Sequence, residues 1–160
     1  MQQRFERTLV VLKPDALQRR LIGRILQRFE QKGLTIVALK LMRVSEELAR
    51  KQYAVHEGKE FYEPLVRFIT ASPVVACVLE GVEAVATARK MMGATFGRDA
   101  EPGTIRGDLG VSRRYNLVHG SDSPETAEFE IGLYFNPKEI LTYQPDDLPW
   151  VYDLTGPEPV

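Results

Sequence analysis

Three short apolar runs, at residues 7–12, 35–41 and 74–80, alternate with stretches whose apolar residues recur at helical spacing, and this alternation most narrows the folds open to the chain. Each run is short and rich in Val, Ile, Leu and Thr, so each reads as a buried strand. Lys13-Pro14 stops the first, because the residue before a proline and the proline itself leave the ladder. Ile22, Ile25, Leu26 and Phe29 fall at i, i+3, i+4 and i+7, which predicts a helix over 22–32 ended by Gly33. Ser45 is placed to cap a helix over 46–53. Residues 60–70 and 82–92 read as two more helices, the second closed by Gly93. Residues 93–115 are dense in Gly and charge with weak periodicity, and a loop of that length in a compact domain is usually functional. A short strand near 116–119 follows. Ser123-Pro124 opens a helix to about residue 135, with Pro at its first position. The tail from residue 137 is rich in Pro and Asp and carries Trp150 and Tyr152. The order β-α-β, helices, β-α, loop, β-α predicts an α+β sandwich with helices over one sheet.

The chain has 160 residues, 44% of them hydrophobic and 27% charged, enough apolar content for one core. We expect a single domain over 1–160, with 137–160 as its C-terminal tail; no repeat, low-complexity tract or linker divides it. Net charge is -1 and pI about 6.2, which gives no bulk signal for a nucleic-acid or membrane surface. Cys77 is the only cysteine, so no intrachain disulfide forms, and with two histidines a structural zinc site is not expected. Met1-Gln2-Gln3-Arg4 begins no long apolar segment, so neither a signal peptide nor a membrane span is expected, which favours the cytoplasm.

Two charges fall on helical stripes that ask for apolar residues. Arg89 sits in the stripe Val82, Val85, Ala86 and Met92, and Glu130 falls between Leu133 and the pair Ala127 and Tyr134. A buried charge is costly unless paired; the plain reading is a snorkelling Arg and a boundary Glu. His119 lies in Asn116-Leu117-Val118-His119-Gly120-Ser121-Asp122, where the glycine leaves room for a ligand. A lone histidine is more often core or surface than catalyst. Glu130 can return to His119 across a strand–turn–helix unit and orient its ring. His56 has no such setting and reads as a surface residue. Lys13, Arg89, Thr95 and Arg106 are scattered donors suited to oxyanions, or else an ordinary solvated surface. Neither a P-loop pattern nor Gly-x-Gly-x-x-Gly occurs, so a bound nucleotide needs side chains to hold its phosphates.

The segment Asn116 to Asp122 resembles the N-x-x-H-G-S-D signature of nucleoside diphosphate kinases. Lys13-Pro14-Asp15-Ala16 is similar to the family's lysine motif, Arg28-Phe29-Glu30-Gln31-Lys32-Gly33 to its first helix end, Ser72-Pro73-Val74-Val75-Ala76 to its third strand, and Pro102-Gly103-Thr104-Ile105-Arg106-Gly107-Asp108 to its second signature. The resemblance covers about residues 7 to 152.

The resemblance implies a ferredoxin-like βαββαβ core with an antiparallel four-stranded sheet. It implies ping-pong transfer of a γ-phosphate from ATP or another nucleoside triphosphate to a nucleoside diphosphate. On these positions His119 is the nucleophile, Glu130 orients it and Ser121 bonds Glu130. Lys13, Tyr53, Arg89, Thr95 and Arg106 surround the phosphates. Asn116, with Lys13, holds the ribose 3′-hydroxyl, Phe61 stacks on the base and Leu65 packs beneath it. Mg²⁺ is carried on the nucleotide's phosphates rather than in a protein cage. Stacking discriminates weakly among bases, so broad acceptance follows. Relatives of this length with a Trp-x-Tyr near the C-terminus, like Trp150-Val151-Tyr152, are usually homohexamers, which the resemblance implies here.

Two positions depart from the pattern. Relatives often read A-T-N-P where this chain has Ala94-Thr95-Phe96-Gly97, losing a proline that stiffens the loop and its subunit contacts. Arg113 stands where many relatives face the base, opposite Phe61, with an apolar residue; its planar cation suits that place. Two other readings compete: an idle relative serving as a scaffold, disfavoured by the intact Lys13, Arg106, His119 and Glu130, and a nucleic-acid-binding ferredoxin-like sheet, disfavoured by the charge and the lack of an aromatic-rich strand pair.

Overall fold

The computed structural model describes residues 5–160; the expectation for Met1–Arg4 lies outside them. Four strands, β1 (Phe5–Leu12), β2 (Thr35–Met42), β3 (Val74–Val82) and β4 (Val118–Gly120), form one sheet in the order β2-β3-β1-β4. Every pairing is antiparallel. The helices are α1 (Pro14–Gln18), α2 (Ile22–Lys32), α3 (Glu46–Gln52), α4 (Tyr62–Thr70), α5 (Ala84–Met92), α6 (Ile105–Leu109), α7 (Pro124–Tyr134) and α8 (Leu148–Val151). This is the ferredoxin-like α+β arrangement.

β1 and β3 read as unbroken apolar runs because the sheet is covered on both of their faces, while β2 lies at the edge. Leu9 and Val11 pack with residues of α3, α4 and α7, such as Ala49, Val66 and Tyr134. Val10 and Leu12 pack on the other face with Ile25, Phe29, Ala88 and Met92, from α2 and α5. Several ends follow from local chemistry. Gly33 closes α2 at φ 102°, and the Ser45 and Ser123 side chains cap α3 and α7 by accepting from Leu48 N and Thr126 N.

The differences from expectation are local. β3 runs on to Val82 and Glu83 turns at φ 50°, so α5 starts at Ala84. The buried residues of α5 are Ala84, Val85, Ala88 and Met92, and Arg89 lies off that face rather than in its stripe. The segment 93–115 is not all loop: it contains a 3₁₀ turn, Gly97–Asp99, and α6, each too short to show periodicity. Lys13-Pro14 ends β1 and starts α1, with Pro14 at the first helical position. The tail folds back on its own chain. Leu141 N donates to Val37 O, Tyr143 to Ile36 O, and the Tyr152 hydroxyl accepts from Val82 N. Trp150, 91% exposed, is left outside this packing. Among the described residues, no helix is long and apolar enough to cross a membrane.

Candidate active site

His119 is the middle residue of β4 and pairs with Val11, so it stands on the sheet face covered by α3, α4 and α7. The backbone leading to it is strained. Leu117 sits at φ 71°, and Val118 N donates to Asn116 O, closing a three-residue turn around it. Such a conformation costs on the order of 1–3 kcal/mol. Asp15 holds it in place: its carboxylate accepts from Leu117 N at 3.1 Å, while Leu117 O accepts from Lys13 N at 2.8 Å. Burial raises the Asp15 carboxyl, against the pull of the Leu117 amide. In the sequence Asp15 shows only as an acid just after Lys-Pro.

His119 Nε2 lies 2.8 Å from Glu130 Oε2. A carboxylate only accepts, so Nε2 carries the proton and Nδ1 keeps the free lone pair. Glu130 is 3% exposed and also accepts from Ser121 Oγ at 2.6 Å and Gln52 Nε2 at 3.2 Å. Burial pushes its carboxyl upward, but the hydrogen bonds from His119, Ser121 and Gln52 outweigh it, and the group stays below the usual carboxylate range. Glu130 is therefore a buried, paired charge and not an amphipathic boundary. Tyr53 sets its ring edge-on to His119, centroids 6.0 Å apart. Its buried hydroxyl has no hydrogen-bond partner among the described residues, an atom left for a ligand or water to satisfy.

The cationic groups gather around Asn116. Lys13 Nζ donates to Asn116 Oδ1 at 2.9 Å, and Asn116 Nδ2 donates to Thr95 O at 2.8 Å. Arg106, on α6, donates to the carbonyls of Asn116, Gly93 and Val118, leaving two of its five N–H groups over. Burial, then the Arg106 charge, lowers Lys13 to about 8. Burial, then Arg89, lowers Arg106 to about 10. Arg89 Nη1 donates to Gly120 O at 3.1 Å. Cations pressed together in this way are held ready for an anion.

Phe61, at the start of α4, is 44% exposed, and Leu65 is half-buried one turn on. His56 is no bare surface residue: its ring lies 5.0 Å from that of Phe61 and 6.4 Å from that of Tyr53. Arg113 points its guanidinium at Phe96, 4.6 Å from the ring centre. Gly120 serves packing more than ligand access, because a Cβ there would meet Met92 Sδ at 2.6 Å. Among the described residues, no three His, Cys, Asp or Glu side chains group to hold a metal ion.

A family model for nucleoside diphosphate kinase matches residues 6–140. The chain belongs to the nucleoside diphosphate kinase family. It is an enzyme, a nucleotide-binding phosphotransferase of that kind. A nucleoside diphosphate kinase from Microcystis aeruginosa is 54% identical over 149 residues, 93% of this chain and all of that one. The structure of a halophilic nucleoside diphosphate kinase from Halobacterium salinarum in complex with CDP superposes with a TM-score of 0.91 at 50% identity, over 93% of this chain and 99% of the other. A transition-state mimic of the Borrelia burgdorferi enzyme, with bound vanadate and ADP, superposes with a TM-score of 0.87 at 38% identity, over 91% and 96%.

Proposed function

We propose that this enzyme moves the γ-phosphate of ATP or another nucleoside triphosphate to a nucleoside diphosphate in two half reactions through a phosphohistidine on His119. The observation that carries this reading is the Nε2–Glu130 hydrogen bond, which leaves Nδ1 as the nucleophile. The Nδ1 lone pair attacks the γ-phosphorus, the bond to the β–γ bridging oxygen breaks, and the diphosphate leaves. A second diphosphate takes the phosphate back by the reverse path. Glu130 balances the positive charge that grows on the ring, and Ser121 holds Glu130.

Lys13, Arg89 and Arg106 neutralise the phosphates, Thr95 and the unpartnered Tyr53 hydroxyl add neutral donors, and Asn116 with Lys13 receives the ribose 3′-hydroxyl. The base lies on Phe61 above Leu65, with Arg113 on its second face. These donors are cationic or neutral, Glu130 is engaged with protein donors, and Asp15 gives one oxygen to Leu117 N, a set that fits Mg²⁺ arriving on the phosphates. An ion carried on the nucleotide would supply further positive charge to the phosphates that Lys13, Arg89 and Arg106 hold.

In this reading residues 1–160 act as one catalytic domain with 137–160 as its tail, in the cytoplasm, without a specific nucleic-acid or membrane partner. Leu39 and Leu41, exposed on the edge strand β2, and Trp150 supply apolar surface for a homohexamer. The test is label transfer. Protein exposed to γ-labelled ATP, freed of nucleotide and mapped by peptide should carry acid-labile, base-stable label on His119 and pass it to CDP. Label elsewhere, or none, rejects the reading.

A further inference from the structure

Glu130 has a partner that phosphoryl transfer has not yet used. Gln52 is the last residue of α3 and Tyr134 the last of α7, and both are buried. The Tyr134 hydroxyl donates to Gln52 Oε1 at 2.6 Å, and Gln52 Nε2 donates to Glu130 Oε2 at 3.2 Å, the same oxygen that meets His119. We propose that Gln52 and Tyr134 are positioning residues: the Tyr134 hydroxyl locks the Gln52 amide, and the locked amide holds the Glu130 carboxylate where it receives the His119 Nε2 proton. This rests on the phosphohistidine reading above.

Donor chemistry dictates the direction of the chain. Glu130 only accepts, so Gln52 must turn its NH₂ toward it and its carbonyl away. The carbonyl is then buried and needs a donor, which Tyr134 provides. Burial, then Tyr53 and the Glu130 charge, keeps the Tyr134 phenol protonated, so it remains a donor. Without that hydroxyl the amide is free to turn over, and its carbonyl then opposes the carboxylate. Ser121 fixes only Oε1; Gln52 is the second tie, on the oxygen that faces the ring. The ionisable and charged groups around this pair are Tyr53 at the end of α3, His56 in the 3₁₀ turn after it, Tyr134 on α7, and Arg89 on α5, which reaches Gly120 beside His119.

Gln52 also drains charge from Oε2. When it is lost, the carboxylate is less stabilised as an anion, and the His119–Glu130 pair takes up a proton more readily, whichever member holds it. A protonated pair does not attack phosphorus, so the acidic limb of the rate moves to higher pH.

The experiment compares the full-length wild type with Gln52→Met, which nearly keeps the shape, Tyr134→Phe, which removes one oxygen, and the double variant. We expect kcat at pH 7 to fall about three- to ten-fold with KM for nucleotide little changed. The acidic limb of kcat should rise by about one pH unit in Gln52→Met, roughly one hydrogen bond to a charged oxygen, and by less in Tyr134→Phe. The double variant should match Gln52→Met, because both changes act through one amide. Rates and limbs that overlay the wild type in both single variants would show that the two residues only fill the core. Wild-type protein that takes no label on His119 would overturn the phosphohistidine reading and this proposal together. Labelled wild type with unmoved variants overturns the proposal alone.

Discussion

The guanidinium of Arg113 lies 4.6 Å over the ring of Phe96. Two residues that the sequence pattern singles out thus meet. Phe96 belongs to the loop that carries Thr95, and Arg113 to the segment that leads into Asn116. Gly97 N donates to Ser112 O, so the backbones of the two loops are joined at the same place. The side-chain contact ties together two loops that the Asn116–Thr95 hydrogen bond also joins.

Arg113→Ala should weaken nucleotide binding about two- to five-fold, from a cation–π contact of roughly 0.5–1 kcal/mol at an exposed site. The loss should be larger for ADP than for CDP, since a purine offers the larger face. Phosphotransfer from bound nucleotide should change little, because the proposed reading gives the phosphates to other residues. Isothermal titration with both nucleotides decides it: unchanged affinity for both means that Arg113 serves Phe96 and not the base.

His119→Ala should abolish phosphotransfer and leave the fold intact. The side chain is 19% exposed and, among the described side chains, joined by hydrogen bonding to Glu130 alone, so its removal opens little of the core. Turnover assays paired with circular dichroism check this. Substantial residual turnover with a native spectrum would remove His119 as the nucleophile.

Lys13 gives the pH dependence. Its folded value of about 8 lies below the ordinary 10.5, so the free enzyme loses this positive charge as pH rises through 8. kcat/KM should bend downward near pH 8, and the bend in kcat should lie at higher pH, because bound phosphate favours the charged lysine. Between pH 8 and 10.5 the unfolded chain binds the extra proton, so through this group stability rises with pH across that window. Lys13→Met should remove the bend from the rate profile, and a bend that survives belongs to another group.

Gly107→Ala should destabilise the protein by about 2–4 kcal/mol and lower nucleotide affinity. A Cβ there would stand 1.8 Å from the Glu101 carbonyl oxygen, a backbone atom that cannot swing away. The strain falls on α6 next to Arg106. Urea unfolding measures the loss, and an unchanged midpoint would show that the turn 101–107 yields freely.

In solution we expect a homohexamer. Leu39, Leu41 and Trp150 are too exposed to be idle on a lone chain of this size. Light scattering at working concentration checks it, and a tetramer or monomer rejects it.

The fold was legible where periodicity was long enough to speak. The helix at 22–32 matches its reading at both ends, because four apolar residues and a C-terminal glycine agree. Glu130 stood out as a charge on an apolar stripe and is buried against His119. Arg89 stood out in the same way, yet lies off the buried face. Its stripe was counted from Val82, which belongs to β3, so the phase was set by a residue outside the helix. Gln52 gives no signal in the sequence, and Tyr134 only a place on the apolar stripe of its helix. Each ends a helix with ordinary polar chemistry, and only the packing of α3 on α7 brings them together. The same holds for Asp15 and Leu117, whose bond is made by the arrival of β4 beside β1.

That arrival also governs when the enzyme comes into being. The first strand made, β1, ends up flanked by the third and the fourth, so neither of its neighbours exists when it leaves the ribosome. Roughly one hundred residues must follow, several seconds of synthesis at the usual 5–20 residues per second, before Val11 has His119 beside it. Contacts so distant in sequence also slow folding itself, since a long loop must close before they reward it. A half-made chain therefore holds Lys13 but neither Asn116 nor His119, and the site is whole only when two distant stretches of the message have been read and joined.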